Sequence, residues 1–234
     1  MKIRDMKQKL LTEEKHDFES LCQLTEILRS EEGCPWDREQ THESIRTDLI
    51  EETYEAVEAI DKADADLLRE ELGDVLFQVI FHSRIEEEAG RFSVNDVIGD
   101  IVDKMILRHP HVFGEVKADT SAEVLENWDK IKEKEKKRDT LKTVLEAVPK
   151  QYPALLRARK VQKKARKGGL TVDDSAARLT ELADAAGAAE TADERNARLT
   201  ELIWQAVSLG GADADLEKLL GAYTDRFIDG VPEE

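Results

Sequence analysis

Cysteine, aromatic residues and long apolar runs are all scarce in this sequence. Aromatic residues make up only 5% of its 234 residues, and its two cysteines, Cys22 and Cys34, are too few for a disulfide framework. No apolar run reaches the length that spans a bilayer, and the start MKIRDMKQKL lacks the apolar core of a signal peptide. We therefore expect a cytoplasmic protein that does not engage a membrane.

Net positive charge is missing as well. The chain has 35 Lys and Arg against 52 Asp and Glu, a formal charge of −17. Nonspecific binding to nucleic acid or to an anionic membrane needs a net basic face, so we expect neither partner. Such an acidic chain suits a protein that recruits cations.

Glycine and proline are sparse too, at 12 and 5 residues, and Ala, Leu, Glu, Lys and Arg dominate. Apolar residues recur at helical spacing along most of the chain, and no segment has the pattern of a strand. The predicted helices cover approximately residues 13–29, 40–60 and 65–89, segments that begin at SVND (93–96) and TSAE (120–123), a basic helix at 157–167, and residues 174–186, 192–209 and 212–227. We therefore predict an all-α helical bundle.

The segment ELGDVLFQVIF (71–81) carries two carboxylates among large apolar residues. Those apolar side chains surround nearly the whole circumference of the predicted helix, which indicates a helix inside a bundle. Glu71 and Asp74 would then be kept from bulk water. Because an unpaired buried carboxylate is costly, each needs a cation, a strong donor or a raised pKa.

The preceding helix adds more acid. Glu52 and Glu55 lie on one side of it, and antiparallel packing through DKADAD brings them towards Glu71 and Asp74. Four acids that face each other repel, and a hard divalent cation resolves the repulsion; oxygen ligands favour Mg²⁺ or Mn²⁺ over zinc. The alternative is a solvated acidic surface with Lys and Arg partners. Two such acid pairs on consecutive helices favour the metal.

The same residues resemble a known family. Glu52-x-x-Glu55 followed by Glu71-x-x-Asp74 is similar to the signature of MazG-type nucleoside triphosphate pyrophosphohydrolases, and so, in order, are CPWDREQT, EETYE, ELGDVLFQV, GRFSVNDV and RHPHVF. The resemblance is strong over approximately residues 21–137 and weak over the rest of the chain. It implies an all-α bundle that assembles as a homodimer or higher homo-oligomer, and Mg²⁺-dependent hydrolysis of nucleoside triphosphates to monophosphate and pyrophosphate.

A weaker internal repeat suggests a second copy of the helical unit. LGDVLFQVI (72–80) resembles LTELIWQAV (199–207), and EETYEA (51–56) resembles TELADA (180–185). We predict a MazG-like catalytic domain over residues 1–138, a connecting basic helix over 139–168 and a degenerate MazG-like domain over 169–234. The repeat aligns the four acids with Glu181, Asp184, Arg198 and Glu201. An arginine at a ligand position should pair with the remaining acids, so we predict no catalytic metal there.

Cationic residues for a triphosphate lie further along the chain. Lys104 and Arg108 share one helix face, as do Trp128 and Lys132 on the next helix. Their spacing fits snorkelling surface cations and a core tryptophan equally well, but all four match positions that bind the nucleotide in MazG-like proteins. His109 and His111 flank Pro110; without a third His or a Cys we interpret them as structural or phosphate-adjacent.

Together with these residues, the resemblance implies an enzyme that hydrolyses ribo- and deoxyribonucleoside triphosphates at the α-phosphorus. Glu52, Glu55, Glu71 and Asp74 would hold Mg²⁺, with Mn²⁺ as a substitute, and one of these acids or Glu70 would orient the water. Clearance of nucleotides from the pool is the expected role. Two alternatives stay open: a catalytically silent helical module that binds nucleotides or a partner, and a pyrophosphohydrolase for one special nucleotide, such as a histidine-pathway intermediate.

Overall fold

A computed structural model of the chain describes residues 2–118, 120–135, 140–211 and 214–232. The described residues form helices and no strand, which confirms the predicted all-α class. The helices are α1 (Ile3–Thr12), α2 (Phe18–Arg29), α3 (Pro35–Glu39), α4 (Arg46–Lys62), α5 (Ala65–Glu88), α6 (Val94–Arg108), α7 (Pro110–Phe113), α8 (Ser121–Glu135), α9 (Leu141–Glu146), α10 (Ala154–Lys167), α11 (Ala176–Gly187), α12 (Ala192–Gly210) and α13 (Leu216–Asp229).

The chain divides into two compact units, residues 1–128 and 129–234. Among the described residues, none of the helices has both the length and the apolar character needed to cross a membrane. The functional division at residues 138 and 168 remains a prediction.

A tight turn makes α4 and α5 an antiparallel hairpin in the first unit. α4 ends at Ala63, which takes a left-handed conformation with φ of 53°. The next residue, Asp64, caps α5 by accepting hydrogen bonds from the backbone N–H groups of Asp66 and Leu67. Helix end and helix start thus follow each other directly, and the acids of α4 face those of α5.

The chain around residues 30–40 is fixed against α2 and α5 by close contacts. A Cβ at Gly33 would lie 2.1 Å from the carbonyl oxygen of Ile27, so this approach of backbone to backbone requires glycine. Arg29 donates to the carbonyl oxygens of Asp37 (2.7 Å) and Gln40 (3.1 Å) and pairs with Glu88. The segment that contains α3 is therefore held against the C-terminal end of α5.

Both predicted capping motifs of the first unit are present. Ser93 and Asp96 make a reciprocal capping box at the start of α6, and Thr120 and Glu123 exchange equivalent hydrogen bonds at the start of α8.

The first unit has a small, buried apolar core. It consists of Met6, Ile27, Ile45, Ala56, Ala59, Ile80 and Phe81.

The second unit contains another helical pair, α11 and α12, with α10 packed on it. The Gln162 side chain donates to the carbonyl oxygen of Trp204 (2.9 Å), and Arg166 donates to Ser208. Arg159 of the same helix pairs with Asp215 at the start of α13 (3.2 Å). The basic helix therefore packs within this unit, using part of its charge for internal contacts.

Short helices account for most differences from the prediction. The structure has α1, α3, α7 and α9 where the sequence pattern gave an unassigned start, a loop, a loop and a connecting region. Such segments are too short to show a helical period. The predicted helix over 13–29 begins only at Phe18, because Asp17 caps it by accepting from the backbone N–H of Ser20 at 2.9 Å.

Candidate metal and nucleotide site

The acids of α4 and α5 converge as predicted. Glu52, Glu55 and Glu71 each offer a carboxylate oxygen, and these three oxygens lie within 4.8 Å of one another. Asp74, one turn after Glu71, is near enough for its charge to contribute to the raised pKa of Glu52. The structure therefore brings three of the four predicted ligands together, and Asp74 acts on Glu52 and Glu71 through its charge.

The prediction that α5 is buried on all sides is wrong for the single chain. Leu72, Leu76 and Val79 are 53%, 40% and 37% exposed, and Asp74 is exposed as well. The hairpin packs on the rest of the unit through its other faces, which include Ile80 and Phe81. Periodicity identifies an apolar stripe but does not show whether the same chain covers it.

The surroundings of the cluster disfavour the ionised forms of Glu52 and Glu71. Partial burial raises the pKa of Glu52, and the charges of Asp74, Glu55 and Glu71 raise it further. Burial is also the first cause of the raised pKa of Glu71, followed by the charges of Glu55, Glu70 and Asp74. Glu70 is thus close enough to act on the cluster although it is itself exposed.

The residues present fit a hard divalent cation. Within the described part of the chain, none of Glu52, Glu55, Glu71 and Asp74 forms an ion pair with Lys or Arg. Two oxygens bound to one Mg²⁺ at about 2.1 Å lie at most about 4.2 Å apart, so small side-chain rotations would bring this cluster to ligand spacing. Carboxylate oxygens are ligands that suit Mg²⁺ and Mn²⁺.

The predicted cationic residues divide into two groups. Arg108 is buried, with its guanidinium carbon 5.8 Å from the ring centroid of the half-buried Trp128. Its burial excludes the snorkelling interpretation for Arg108. Lys104 is exposed, and the side chain of Lys132 lies outside the described residues.

The sequence did not predict a polar network that lies at the C-terminal end of α5, away from the turn at Ala63. His42 contacts His82 (Nδ1 to Nδ1, 2.7 Å) and Glu86 (Nε2 to Oε1, 2.5 Å), and Arg91 donates to the same carboxylate. These residues lie before α4, in α5 and after α5, and no short motif relates them. Hydrogen bonding by Arg91, with help from His42, lowers the pKa of Glu86 to about 2 against the effect of burial.

In the second unit, arginines form ion pairs with two acids at the positions aligned with the four acids of the first unit. Arg198 contacts Glu201 at 3.3 Å, as predicted from the repeat, and Arg178 contacts both Glu181 (3.1 Å) and Glu201 (3.5 Å). Two guanidinium groups therefore neutralise acids that correspond to Glu52 and Asp74.

Comparison of the sequence with known proteins identifies a family. The model of the MazG nucleotide pyrophosphohydrolase domain matches residues 40–113, which include the whole hairpin and α6. A nucleoside triphosphate pyrophosphohydrolase of Escherichia coli (strain K12) is 45% identical over 150 residues, 64% of this chain and 57% of that protein. The uncharacterized protein YabN of Bacillus subtilis is 48% identical over 148 residues, 63% of this chain but only 30% of that protein.

One relative is matched along most of both chains. The nucleoside triphosphate pyrophosphohydrolase/pyrophosphatase MazG of Thermotoga maritima is 40% identical over 220 residues, 91% of this chain and 83% of that protein. The similarity extends through the second unit as well as the acidic hairpin. The chain spans less than two thirds of the first two relatives, but this longer match and the order of its motifs show that it belongs to the MazG family.

Proposed function

We propose that this protein is a Mg²⁺-dependent nucleoside triphosphate pyrophosphohydrolase that cleaves ribo- and deoxyribonucleoside triphosphates at the α-phosphorus. The observation that carries the proposal is the cluster of Glu52, Glu55 and Glu71, whose oxygens lie within 4.8 Å of one another and which forms no ion pair with Lys or Arg among the residues that the structure describes. The relatives from E. coli and T. maritima carry the name of this activity.

The four acids would hold the metal, with Mn²⁺ as a substitute for Mg²⁺. A bound divalent ion supplies charge neutralisation at phosphate oxygens and a lower pKa for water. In the reaction, the water oxygen forms a bond to the α-phosphorus and the bond to the bridging oxygen of the β-phosphate breaks. Pyrophosphate leaves with the electron pair. The water proton passes to a carboxylate, and Glu70 beside Glu71 is one candidate for this role.

The nucleotide would be held by the cationic residues that the sequence predicts. Arg108 can bind phosphate oxygens bidentately and Lys104 can supply further positive charge, while the role of Lys132, whose side chain lies outside the described residues, rests on the sequence alone. The ring of Trp128 beside Arg108 offers a stacking surface for the base. Phosphoryl transfer depends mainly on positioning and charge neutralisation. The acids that hold the metal and the cations that hold the phosphates would supply both.

The product identity tests the reaction. The protein is incubated with Mg²⁺ and ATP labelled at the α-phosphorus, and the products are separated. AMP and pyrophosphate would support cleavage between the α- and β-phosphates, whereas ADP and orthophosphate would reject it. Nucleotide binding without turnover at saturating Mg²⁺ would favour the silent binding module instead.

We also propose that a second copy of the chain covers the apolar surface beside the acids. Leu72, Leu76 and Val79 form a continuous stripe at i, i+4 and i+7 of α5, and Tyr54 and Val57 of α4 are 57% and 47% exposed. Monomeric proteins rarely leave such a contiguous apolar surface in water. A two-fold pair of these hairpins would bury both stripes and enclose the acids. Sedimentation equilibrium that gives a monomer mass would overturn this assembly.

The proposed physiological role is removal of unwanted nucleotides from the pool, and the cytoplasmic location stays a prediction. Recognition centred on phosphate and metal predicts turnover of several bases and of both sugars. A panel of ribo- and deoxyribonucleoside triphosphates at equal concentration measures this breadth. Turnover confined to one substrate would favour the specialised pyrophosphohydrolase.

A further inference from the structure

Four side chains meet where α6 ends and α8 passes it: Arg108, His109, His111 and Trp128. The rings of His109 and Trp128 have centroids 5.4 Å apart and meet edge to face at 76°, and His109 and His111 lie 5.5 Å apart. Among the described residues, Trp128 Nε1 and His111 Nδ1 are buried and have no hydrogen-bond partner. Such orphaned nitrogens call for an explanation, and an unfinished ligand site is one.

His109 is the most constrained member of this group. Its Nδ1 lies 2.6 Å from the carbonyl oxygen of Met105. A carbonyl oxygen only accepts, so Nδ1 carries the hydrogen and the tautomer is fixed. The backbone is held too, because His109 ends α6, Pro110 begins α7 and the N–H of Phe113 donates to the carbonyl oxygen of His109 at 3.0 Å.

We infer that His109 is a positioning residue for nucleotide binding, which it supports by holding the indole ring of Trp128 in place. The inference rests on the proposed function, in which Trp128 and Arg108 bind the nucleotide. Trp128 lies on α8, whereas Arg108 and His109 are adjacent residues at the end of α6. The His109 ring therefore links the orientation of Trp128 to the position of Arg108.

The chemistry of the indole makes its orientation important. Trp128 Nε1 can only donate, so it needs an oxygen or nitrogen acceptor, and both stacking and hydrogen bonding depend on the plane of the ring. Loss of the His109 ring would allow Trp128 to turn without removing any group that contacts the reacting phosphorus. The expected signature is a raised KM with kcat within about twofold of the wild type.

A double-mutant cycle tests the inference. Binding of α,β-methylene-ATP with Mg²⁺ is measured by calorimetry for the wild type, His109→Ala, Trp128→Ala and the double variant. If His109 acts through Trp128, His109→Ala weakens binding by about tenfold in the wild-type background and by less than about twofold in the Trp128→Ala background. Equal weakening in both backgrounds would overturn the inference.

His109→Asn separates positioning from folding. Asn retains a side-chain N–H that can donate to the Met105 carbonyl oxygen but lacks the ring that meets Trp128. We expect its unfolding temperature to lie nearer the wild type than that of His109→Ala, while its nucleotide affinity falls like that of His109→Ala. Wild-type affinity in His109→Asn would overturn the role of the ring. No binding by the wild type itself would overturn the proposed function and the inference together.

Discussion

α5 and α12, the second helices of the pairs α4–α5 and α11–α12, are buried at matching positions. Gln78 and Ile80 are buried in the first pair, and Gln205 and Val207 occupy the aligned positions and are buried in the second. The outward positions match too, since Leu72 and Leu76 are exposed and so are Leu199 and Ile203, at the positions aligned with them. The packing pattern of α5 is therefore retained in α12.

The charges at the open face differ between the pairs. In α4–α5 the acids stand together with raised pKa values for Glu52 and Glu71. In α11–α12 two arginines pair with the acids instead. The comparison teaches that one helical scaffold can present either a cluster of acids or an internally neutralised surface, and that Arg198, at the position of Glu71, and Arg178 together make the difference.

The largest expected effect comes from removing one charge of the acidic cluster. We expect Glu71→Gln to lower the rate of pyrophosphate release by on the order of 10³-fold or more, because phosphoryl transfer depends on charge placement. Its helical circular dichroism should be unchanged, since the replaced carboxylate repels its neighbours. Pyrophosphate release with saturating ATP and Mg²⁺ is the measurement.

Glu201→Gln is the matched control, because it removes the acid aligned with Asp74 in the second pair. It should leave activity within about twofold of the wild type, as no proposed ligand is changed. A large loss of activity in Glu201→Gln, or full activity in Glu71→Gln, would show that the two pairs do not divide function in this way.

The second effect concerns the exposed stripe of the first pair. Leu76→Asp places a charge where we propose that a second copy packs, so the mass measured by sedimentation should fall to that of the monomer and activity should fall by at least about tenfold. Leu11→Asp is the matched control, because Leu11 is 82% exposed on α1, a helix without any of the four acids. Unchanged mass in Leu76→Asp would exclude this stripe as the interface.

Much of this comparison could be predicted from sequence, because helices carry their own signals. Helical periodicity, the capping box at Ser93 and the acid spacing in α4 and α5 are all local features. The arginine pairing at Glu201 followed from alignment of the repeat and simple charge complementarity.

Features that depend on distant contacts could not be predicted. The His42, His82 and Glu86 network joins residues about 40 positions apart, and no periodicity relates them. The exposure of Leu72 is similarly invisible, since an apolar stripe looks the same whether its own chain or another copy covers it. Sequence therefore locates the acids but not the surface that would enclose them.

A smaller effect is expected from reversing the charge that distinguishes the pairs. Arg198→Glu would leave Arg178 alone against Glu181, Glu201 and the new carboxylate. We expect the midpoint of thermal unfolding to fall by about 2–4 °C in metal-free buffer, because an attraction becomes a repulsion. Calorimetry with and without Mg²⁺ measures this, and Arg195→Glu, which alters an exposed residue of the same helix, is the control. An unchanged midpoint would mean that these ion pairs do not stabilise the second pair.

The smallest effect depends on pH and on the network of His42, His82 and Glu86 in the first pair; in the second pair Leu209 is aligned with His82. The pKa of Glu86 is lowered to about 2 by Arg91 and His42, so the folded state favours the ionised carboxylate. The resulting stability is fully present above the ordinary glutamate pKa of about 4.3 and is lost as pH falls towards 2. Glu86→Gln should therefore have a lower urea midpoint than the wild type at pH 7, and the difference should shrink between about pH 4.5 and pH 2. A difference that stays constant over this range would show that the charge of Glu86 does not stabilise the hairpin.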